Sequence, residues 1–331
     1  MEIKETIGID VSKATLDVHI HSTGDKGKFD NNQKGFRSLT DWTSLKSPFP
    51  QEQTLFVFEH TGLYSHNLSA YLAAENLFCR MVSGLEVKRS LGIARGKNDQ
   101  VDAKRIAIYA YRLREEIRPS NVSDLKIRQL RAMFSLRAKL ARQRAGYRTT
   151  LKEQKSVLGS KDYKVLFEVQ RGMVDILSGK IAKLEEKMME VVKNDRELRD
   201  LFRLVTSVKG VGPITALLVI AHTNRFTKFR TWRKFASYCG VAPFPYQSGT
   251  SIRGRSKVSH FANKELKGIL NMCAIAAIQY NPEMKRYYER RTEEGKNKMS
   301  TLNIIRNKLI SRMFAAVNRG TPYVNVYAHA S

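Results

Sequence analysis

The chain has 331 residues, 42% hydrophobic and 27% charged, and its 58 lysines and arginines against 31 aspartates and glutamates leave a formal net charge of +27. That length and apolar content suffice for a sizeable core in two or three domains, which excludes disorder and collagen-like repeats, and the basic excess points to a polyanion, with nucleic acid ahead of an acidic membrane surface. No run approaches the roughly 18 apolar residues of a membrane span, Met1-Glu-Ile-Lys-Glu5 is no basic-then-apolar leader, and Cys79, Cys239 and Cys273 lack zinc or disulfide-framework spacing, so a cytoplasmic protein without a membrane partner is expected.

In chain order, Ile7 and Ile9, then Leu16, Val18 and Ile20, alternate with other residues on either side of Ser12-Lys13, which predicts two short strands. Phe36, Leu39, Trp42 and Leu45 recur at helical spacing, Leu55-Phe-Val-Phe58 is a buried-strand run, Leu63 to Ala74 reads as a helix and Phe78 to Val82 as a strand. This alternation makes residues 1–120 an α/β domain on a mixed sheet.

From Asp124 onward, Leu130, Met133, Leu140, Tyr147 and Leu151 fall at three- and four-residue steps or their multiples. Leu166, Val169, Met173, Leu177, Ile181, Leu184, Met188 and Val191 do the same, so residues 121–201 are expected to be two long helices, a coiled-coil hairpin broken near Gly159-Ser160. The first carries ten basic residues from Lys126 to Lys155, Arg137 and Arg144 among them, against Asp124 and Glu153. Such a run often forms only a solvated face; one so lopsided suits a phosphate backbone.

Residues 202–331 read as mainly helical. Val205 to Leu217 holds a turn, Lys209-Gly-Val-Gly212, between apolar helical runs. It fits a helix-hairpin-helix whose turn amides and Lys209 hold a phosphate, and it fits an ordinary tight helix connection. Trp42, Trp232 and Phe235 sit at core spacing, whereas Lys285 to Arg291 mixes aromatic and basic residues as nucleic-acid grooves and helix ends both do.

Four carboxylates stand out. Asp10 ends Ile7-Gly-Ile-Asp10 and Glu59 ends Leu55-Phe-Val-Phe-Glu59, so two acids at the ends of two buried strands can converge at one sheet edge, where a divalent cation offsets their repulsion. Asp99 and Asp102, three residues apart at a predicted helix start, share a helical face. Either could be an N-cap, which explains one and leaves the other idle. Together the four match a two-metal phosphoryl-transfer site, with Mg²⁺ (or Mn²⁺) ions held roughly 3.5–4 Å apart by hard oxygen ligands.

Ile7-Gly-Ile-Asp-Val-Ser-Lys13 with Leu16-Asp-Val18, then Phe58-Glu-His-Thr-Gly62, then Asn98-Asp-Gln-Val-Asp-Ala103, resemble the DEDD motif of the RuvC-like domain in bacterial insertion-sequence transposases of the IS110 group, to which Piv-type DNA invertases also belong. The resemblance implies a ribonuclease-H-like fold for residues 1–120 and metal-binding roles for Asp10, Glu59, Asp99 and Asp102. Gly240-Val-Ala-Pro243 and Tyr246-Gln-Ser-Gly-Thr-Ser-Ile-Arg-Gly254 are similar to the group's C-terminal transposase domain, here residues 202–331. By that similarity Ser248 is the nucleophile, with Ser251 the second choice. Without it, a Ser/Gly/Thr-rich stretch is usually a flexible connection. Arg253, Arg255 and Lys257 are placed to clamp a phosphate; His260 has no assignable role.

The resemblance further implies donor and target DNA as partners, an element-encoded non-coding guide RNA, and a dimer or tetramer whose active sites combine halves from different subunits. The leading expectation is a bacterial DNA transposase or recombinase working through Ser248. A metal-dependent nuclease that hydrolyses branched DNA, and a non-catalytic nucleic-acid scaffold, are the alternatives.

Overall fold

A computed structural model of the chain describes residues 2–60, 62, 64–90, 99–117, 124–158, 162–248 and 252–324. Contacts divide the chain into two units, Met1–Val122 and Ser123–Ser331.

The first unit runs β1 (Glu5–Val11), β2 (Thr15–Ile20), β3 (Lys26–Asp30), α1 (Gln33–Lys46), β4 (Thr54–Glu59), α2 (His66–Ala74), β5 (Phe78–Val82), α3 (Gly84–Ser90) and α4 (Asp99–Arg112). Its five-stranded sheet has the order β3-β2-β1-β4-β5, with β1, β2 and β3 antiparallel in succession and β4 and β5 parallel to β1 and to each other. The mixed sheet is as expected, but β3 is an addition. Lys26-Gly-Lys-Phe-Asp30 alternates exposed and half-buried at the sheet edge with Phe29 as its only large apolar residue, so its pairing to β2 comes from the backbone ladder rather than from an apolar pattern.

The pleat divides β1 between two layers. Ile7 and Ile9, with Phe56 and Phe58 of β4, pack with Phe36 and Leu39 of α1 and Leu68 and Leu72 of α2. Leu55 and Val57 of β4 pack instead with Val87 of α3 and Ile106 and Tyr109 of α4. Leu45 departs from its expected core position and is 82% exposed. On the α4 side of β1 the Thr6 hydroxyl donates to the Ala107 carbonyl at 3.0 Å, and Gly8 leaves no room for a side chain. A Cβ there would lie 2.2 Å from the Ala103 carbonyl oxygen and 2.4 Å from the Ala107 nitrogen, so α4 rests on bare backbone.

The second unit contains α5 (Leu125–Val157), α6 (Lys164–Lys193), α7 (Arg196–Thr206), α8 (Pro213–Thr223), α9 (Trp232–Tyr238), β6 (Pro243–Ser248), β7 (Ile252–Val258), α10 (Lys264–Tyr280), α11 (Pro282–Glu293) and α12 (Lys298–Arg319). The two expected long helices are α5 and α6; the expected break at Gly159-Ser160 lies outside the described residues. The buried face of the first half of α6 differs from expectation, because Phe167, Gln170 and Val174 face inward while Val169 is 61% exposed. Along α5 only Ile127, Leu130 and Phe134 are buried, and they join one core with Leu217 and Ile220 of α8, Phe235 of α9, Leu270 of α10 and Leu309 of α12. Trp232 packs partly buried against this core, as do Tyr287 and Tyr288, so the aromatics of the Lys285 to Arg291 stretch serve packing on one side. In the first unit Trp42 packs against Phe29, with ring centroids 5.4 Å apart.

Arg225 ties two helix starts together. Its guanidinium contacts Asp124, the N-cap of α5, Asp195, the N-cap of α7, at 2.9 Å, and Glu197 at 2.7 Å, with the Arg225 side chain only 12% exposed. Lys126 adds a 2.9 Å ion pair to Asp195, whose carboxyl these cations and its capping hydrogen bond hold far below the usual range. All three cysteines are free and buried, and burial pushes each thiol above its ordinary range. Among the described residues no helix is long and apolar enough to cross a membrane.

Two stability outcomes follow. Gly8→Ala should cost the first unit about 3 kcal/mol or its fold, because the methyl meets helix backbone that has no rotamer to change; urea denaturation measures this, and wild-type stability would contradict the contact. Arg225→Met should cost the second unit roughly 2–3 kcal/mol by leaving clustered carboxylates without their cation, read from the same denaturation curves.

Candidate functional site

The register of the central strands brings the acids together. Ile9 pairs with Phe58 across the parallel β1–β4 ladder, so Asp10 and Glu59 are the next residues on both strands and leave the sheet side by side, on the face that α4 covers. Asp99 and Asp102 lie in the first turn of α4. Asp99 opens the helix and is exposed, while Asp102 is half-buried and ion-paired to Arg105 at 3.0 Å. Because α4 is seated on Gly8, two residues before Asp10, the helix start reaches the ends of β1 and β4.

The electrostatics reflect this convergence. Asp10 is pushed up to about 6, first by burial and then by the negative charges of Asp99, Asp102, Glu59 and Asp17. Burial and the Asp102 charge also raise Glu59. Neither Asp10 nor Glu59 has an ion pair to a described residue. Among the described residues, no group of three or more Asp, Glu, His or Cys side chains is already drawn together tightly enough to hold a metal ion. The set is nevertheless all oxygen and mutually repelling, which is the donor chemistry that hard divalent cations take.

Two contributors escaped the sequence reading. Asp17 pairs with Asp10 across the antiparallel β1–β2 ladder and is itself buried, with Lys28 at 3.7 Å; its position between Leu16 and Val18 in an alternating strand was the available signal. Gly84 opens α3 against Glu59, whose Oε2 lies 2.6 Å from where a Gly84 Cβ would stand. Gly84 is not in the left-handed region, so what its missing side chain provides is space for the carboxylate.

The serine stretch, expected to be a loop, is mostly a β-hairpin. β6 and β7 pair antiparallel, Tyr246 with Gly254, Gln247 with Arg253 and Ser248 with Ile252, so Ser248 is the last residue of β6. Ser251 and the side chains of Ser248, Arg253 and Arg255 lie outside the described residues; Lys257 is exposed and pairs with Phe244. The hairpin root is held in place, since the Val241 carbonyl accepts hydrogen bonds from Asn303 and Asn307 of α12 at 2.8 and 2.9 Å. Gly240 has φ +66 and no room for a Cβ beside Ala262.

Elsewhere the expected contact residues divide. In the turn between α7 and α8, Lys209 is exposed, but Gly210, at φ +97, abuts Ala277 of α10, and the Gly212 backbone hydrogen-bonds the Cys273 thiol. On α5, Arg137 forms a 2.7 Å ion pair with Glu185 of α6 and Arg144 donates to Ser178 at 3.4 Å. Glu185 on the neighbouring helix thus balances one cation of a charge run that is lopsided within α5 alone. Lys139, Arg142, Arg148 and Lys152 are exposed.

Two stretches of the chain match models of one family. Residues 7–156 match the DEDD transposase domain of IS110 type, and residues 202–289 match the transposase domain of the IS116/IS110/IS902 family. The chain is 27% identical over 328 residues to the pilin gene-inverting protein of Moraxella bovis, covering 97% of this chain and 98% of that one. It is 34% identical over 127 residues to the 43.6 kDa protein of insertion element IS110 from Streptomyces coelicolor, covering 38% of this chain and 31% of the relative. With family domains matched over residues 7–156 and 202–289, the chain belongs to the IS116/IS110/IS902 family of insertion-sequence transposases and DNA invertases.

Proposed function

We propose that the chain cuts and rejoins DNA through a serine nucleophile, Ser248, together with an acidic site at Asp10, Glu59, Asp99 and Asp102 that holds Mg²⁺ or Mn²⁺. The observation that carries this reading is the juxtaposition of Asp10 and Glu59 in register on central parallel strands, beneath a helix start bearing Asp99 and Asp102. Asp10 pushed up to about 6 marks a carboxylate set in need of positive charge. When bound, the cation supplies charge neutralisation at the phosphate and lowers the pKa of an attacking hydroxyl. The sheet order, three antiparallel strands followed by two parallel ones, supports a RuvC-like fold for this unit.

In the reaction the Ser248 oxygen bonds to phosphorus while a deoxyribose oxygen leaves and takes up a proton. The resulting phosphoserine link is reversed when a second strand's deoxyribose oxygen attacks and releases the serine. Arg253, Arg255 and Lys257 on the same hairpin steady the phosphate, which the rooting of the hairpin on α12 supports.

The α7–α8 turn is proposed as a helix-hairpin-helix in which Lys209, with Gly210 and Gly212 shaping the turn, faces DNA phosphate. The exposed cations of α5, joined by Arg137 and Arg144 when their intramolecular partners yield, carry DNA or a non-coding guide RNA. The long helices of residues 121–201 serve assembly into a dimer or tetramer, and residues 202–331 form the transposase domain.

Wild-type protein, co-expressed with the flanking non-coding DNA of its element and incubated with labelled element-junction DNA and Mg²⁺, should give a protease-sensitive DNA adduct on a denaturing gel. Ser248→Ala should give none, and DNA cut without adduct by both proteins would replace the serine mechanism with metal-dependent hydrolysis. Asp10→Asn, Glu59→Gln and Asp102→Asn should abolish cleavage and keep phosphate-driven DNA binding; cleavage retained in all three would remove the acidic-site assignment.

Gly84→Ala should fold with an unchanged melting temperature and cut about ten- to a hundredfold more slowly, because the methyl displaces the Glu59 carboxylate. Shortening that carboxylate by Glu59→Asp in the Gly84→Ala background should recover part of the loss. An unaffected Gly84→Ala rate would show that Glu59 does not need its present place.

A further inference from the structure

The hairpin that carries Ser248 exposes an aromatic surface that the chemistry above leaves unused. Tyr246 is 66% exposed and Phe244 46% exposed on β6; Phe261 and Tyr280 are also exposed in this unit, but only the β6 pair lies on the strand that carries Ser248. Tyr246 sits opposite Gly254, and its ring lies against that glycine, with Cδ1 2.8 Å from where a Gly254 Cβ would stand. Any side chain at residue 254 would push the ring off the strand. Phe244 sits opposite Lys257, which is exposed, so an aromatic residue and a cation stand side by side on the hairpin. An apolar partner surface would have to cover Lys257 at this patch, whereas a nucleic acid strand brings bases for the rings and a phosphate for the lysine.

We infer that Tyr246, laid across Gly254, is a stacking platform for an unpaired DNA base. Tyr246 is two strand residues from Ser248, roughly 7 Å along β6, so the stacked base belongs to a nucleotide adjoining the attacked phosphate; this placement and the choice of DNA rest on the serine reading, whereas the base-stacking surface rests on the hairpin alone. Its action is to hold a base out of the duplex stack and so keep the neighbouring phosphate in place for attack. DNA is the strand favoured over RNA because β6 also carries the residue that reacts with DNA.

The test uses the full-length chain and a single-stranded DNA oligonucleotide of mixed sequence carrying 5-iododeoxyuridine, the same oligonucleotide annealed to its complement, and an RNA of the same sequence. Near-ultraviolet illumination should crosslink the single-stranded DNA to Tyr246, mapped by mass spectrometry, in both wild type and Ser248→Ala. Tyr246→Ala, whose exposed position leaves the fold intact by circular dichroism, should bind the single strand about ten- to a hundredfold more weakly. Its duplex affinity should change less than about twofold, since paired bases offer no free face. Tyr246→Trp should recover most of the loss, and Gly254→Val should reproduce the loss with the tyrosine still present.

Equal single-strand affinities of wild type and Tyr246→Ala, crosslinks mapping away from the hairpin, or crosslinking by the RNA and not the DNA would each overturn the platform. Because these measurements are also made in Ser248→Ala, they stand apart from the adduct assay. A platform without an adduct removes the serine reading and leaves the base-binding surface, and an adduct without the platform does the reverse.

Discussion

The acidic centre depends on one contact between bare backbones. Gly8 of the central strand meets the Ala103 carbonyl and the Ala107 amide of α4, and the closeness of that approach fixes how far the helix start stands from the ends of β1 and β4. A helix seated on side chains would sit farther from the sheet, at the usual packing distance of about 10 Å, and its first-turn carboxylates would act on Asp10 from farther away. The Thr6 hydroxyl bound to the Ala107 carbonyl, one pleat repeat away, sets the position along the helix as Gly8 sets the separation. Two small residues on one face of a strand therefore carry the geometry that four carboxylates express.

Much of this was legible in the sequence because period-two alternation is a direct image of the pleat. The Ile7, Ile9, Leu16, Val18 and Ile20 pattern located β1 and β2, and the acids at the ends of β1 and β4 were visible as charges terminating apolar runs. β3 was hidden, since an edge strand is held by its backbone ladder and needs little apolar content. The hairpin was hidden for a related reason: Pro, Gly, Ser and Arg in β6 and β7 are poor strand formers, and pairing with root hydrogen bonds to α12 overrides that propensity. On α6 the three- and four-residue steps located the helix and missed the face it buries at its start, because apolar residues there occupy both sides.

Charge is handled differently in its two concentrations. Around Arg225 three carboxylates and one guanidinium form a mixed cluster, with Lys126 at its edge, and each helix start gains an anionic cap whose charge is balanced by the arginine. Around Asp10 the carboxylates have each other for company, apart from Asp102 with Arg105 and Asp17 with Lys28. The first arrangement is complete within the chain and contributes to stability. The second keeps its charges unbalanced within the chain, which the divalent cation of the proposed function would offset.

The three cysteines carry a consequence for how the molecule can be observed. Thiol reagents attack the accessible thiolate, and Cys79, Cys239 and Cys273 are each enclosed and held in the neutral form by burial. The native fold is accordingly silent toward maleimide dyes without any cysteine being removed. A single engineered cysteine on an exposed stretch of α5, or on α11, becomes the one addressable position, and a fluorophore placed there reports distances to bound DNA from an otherwise unaltered chain.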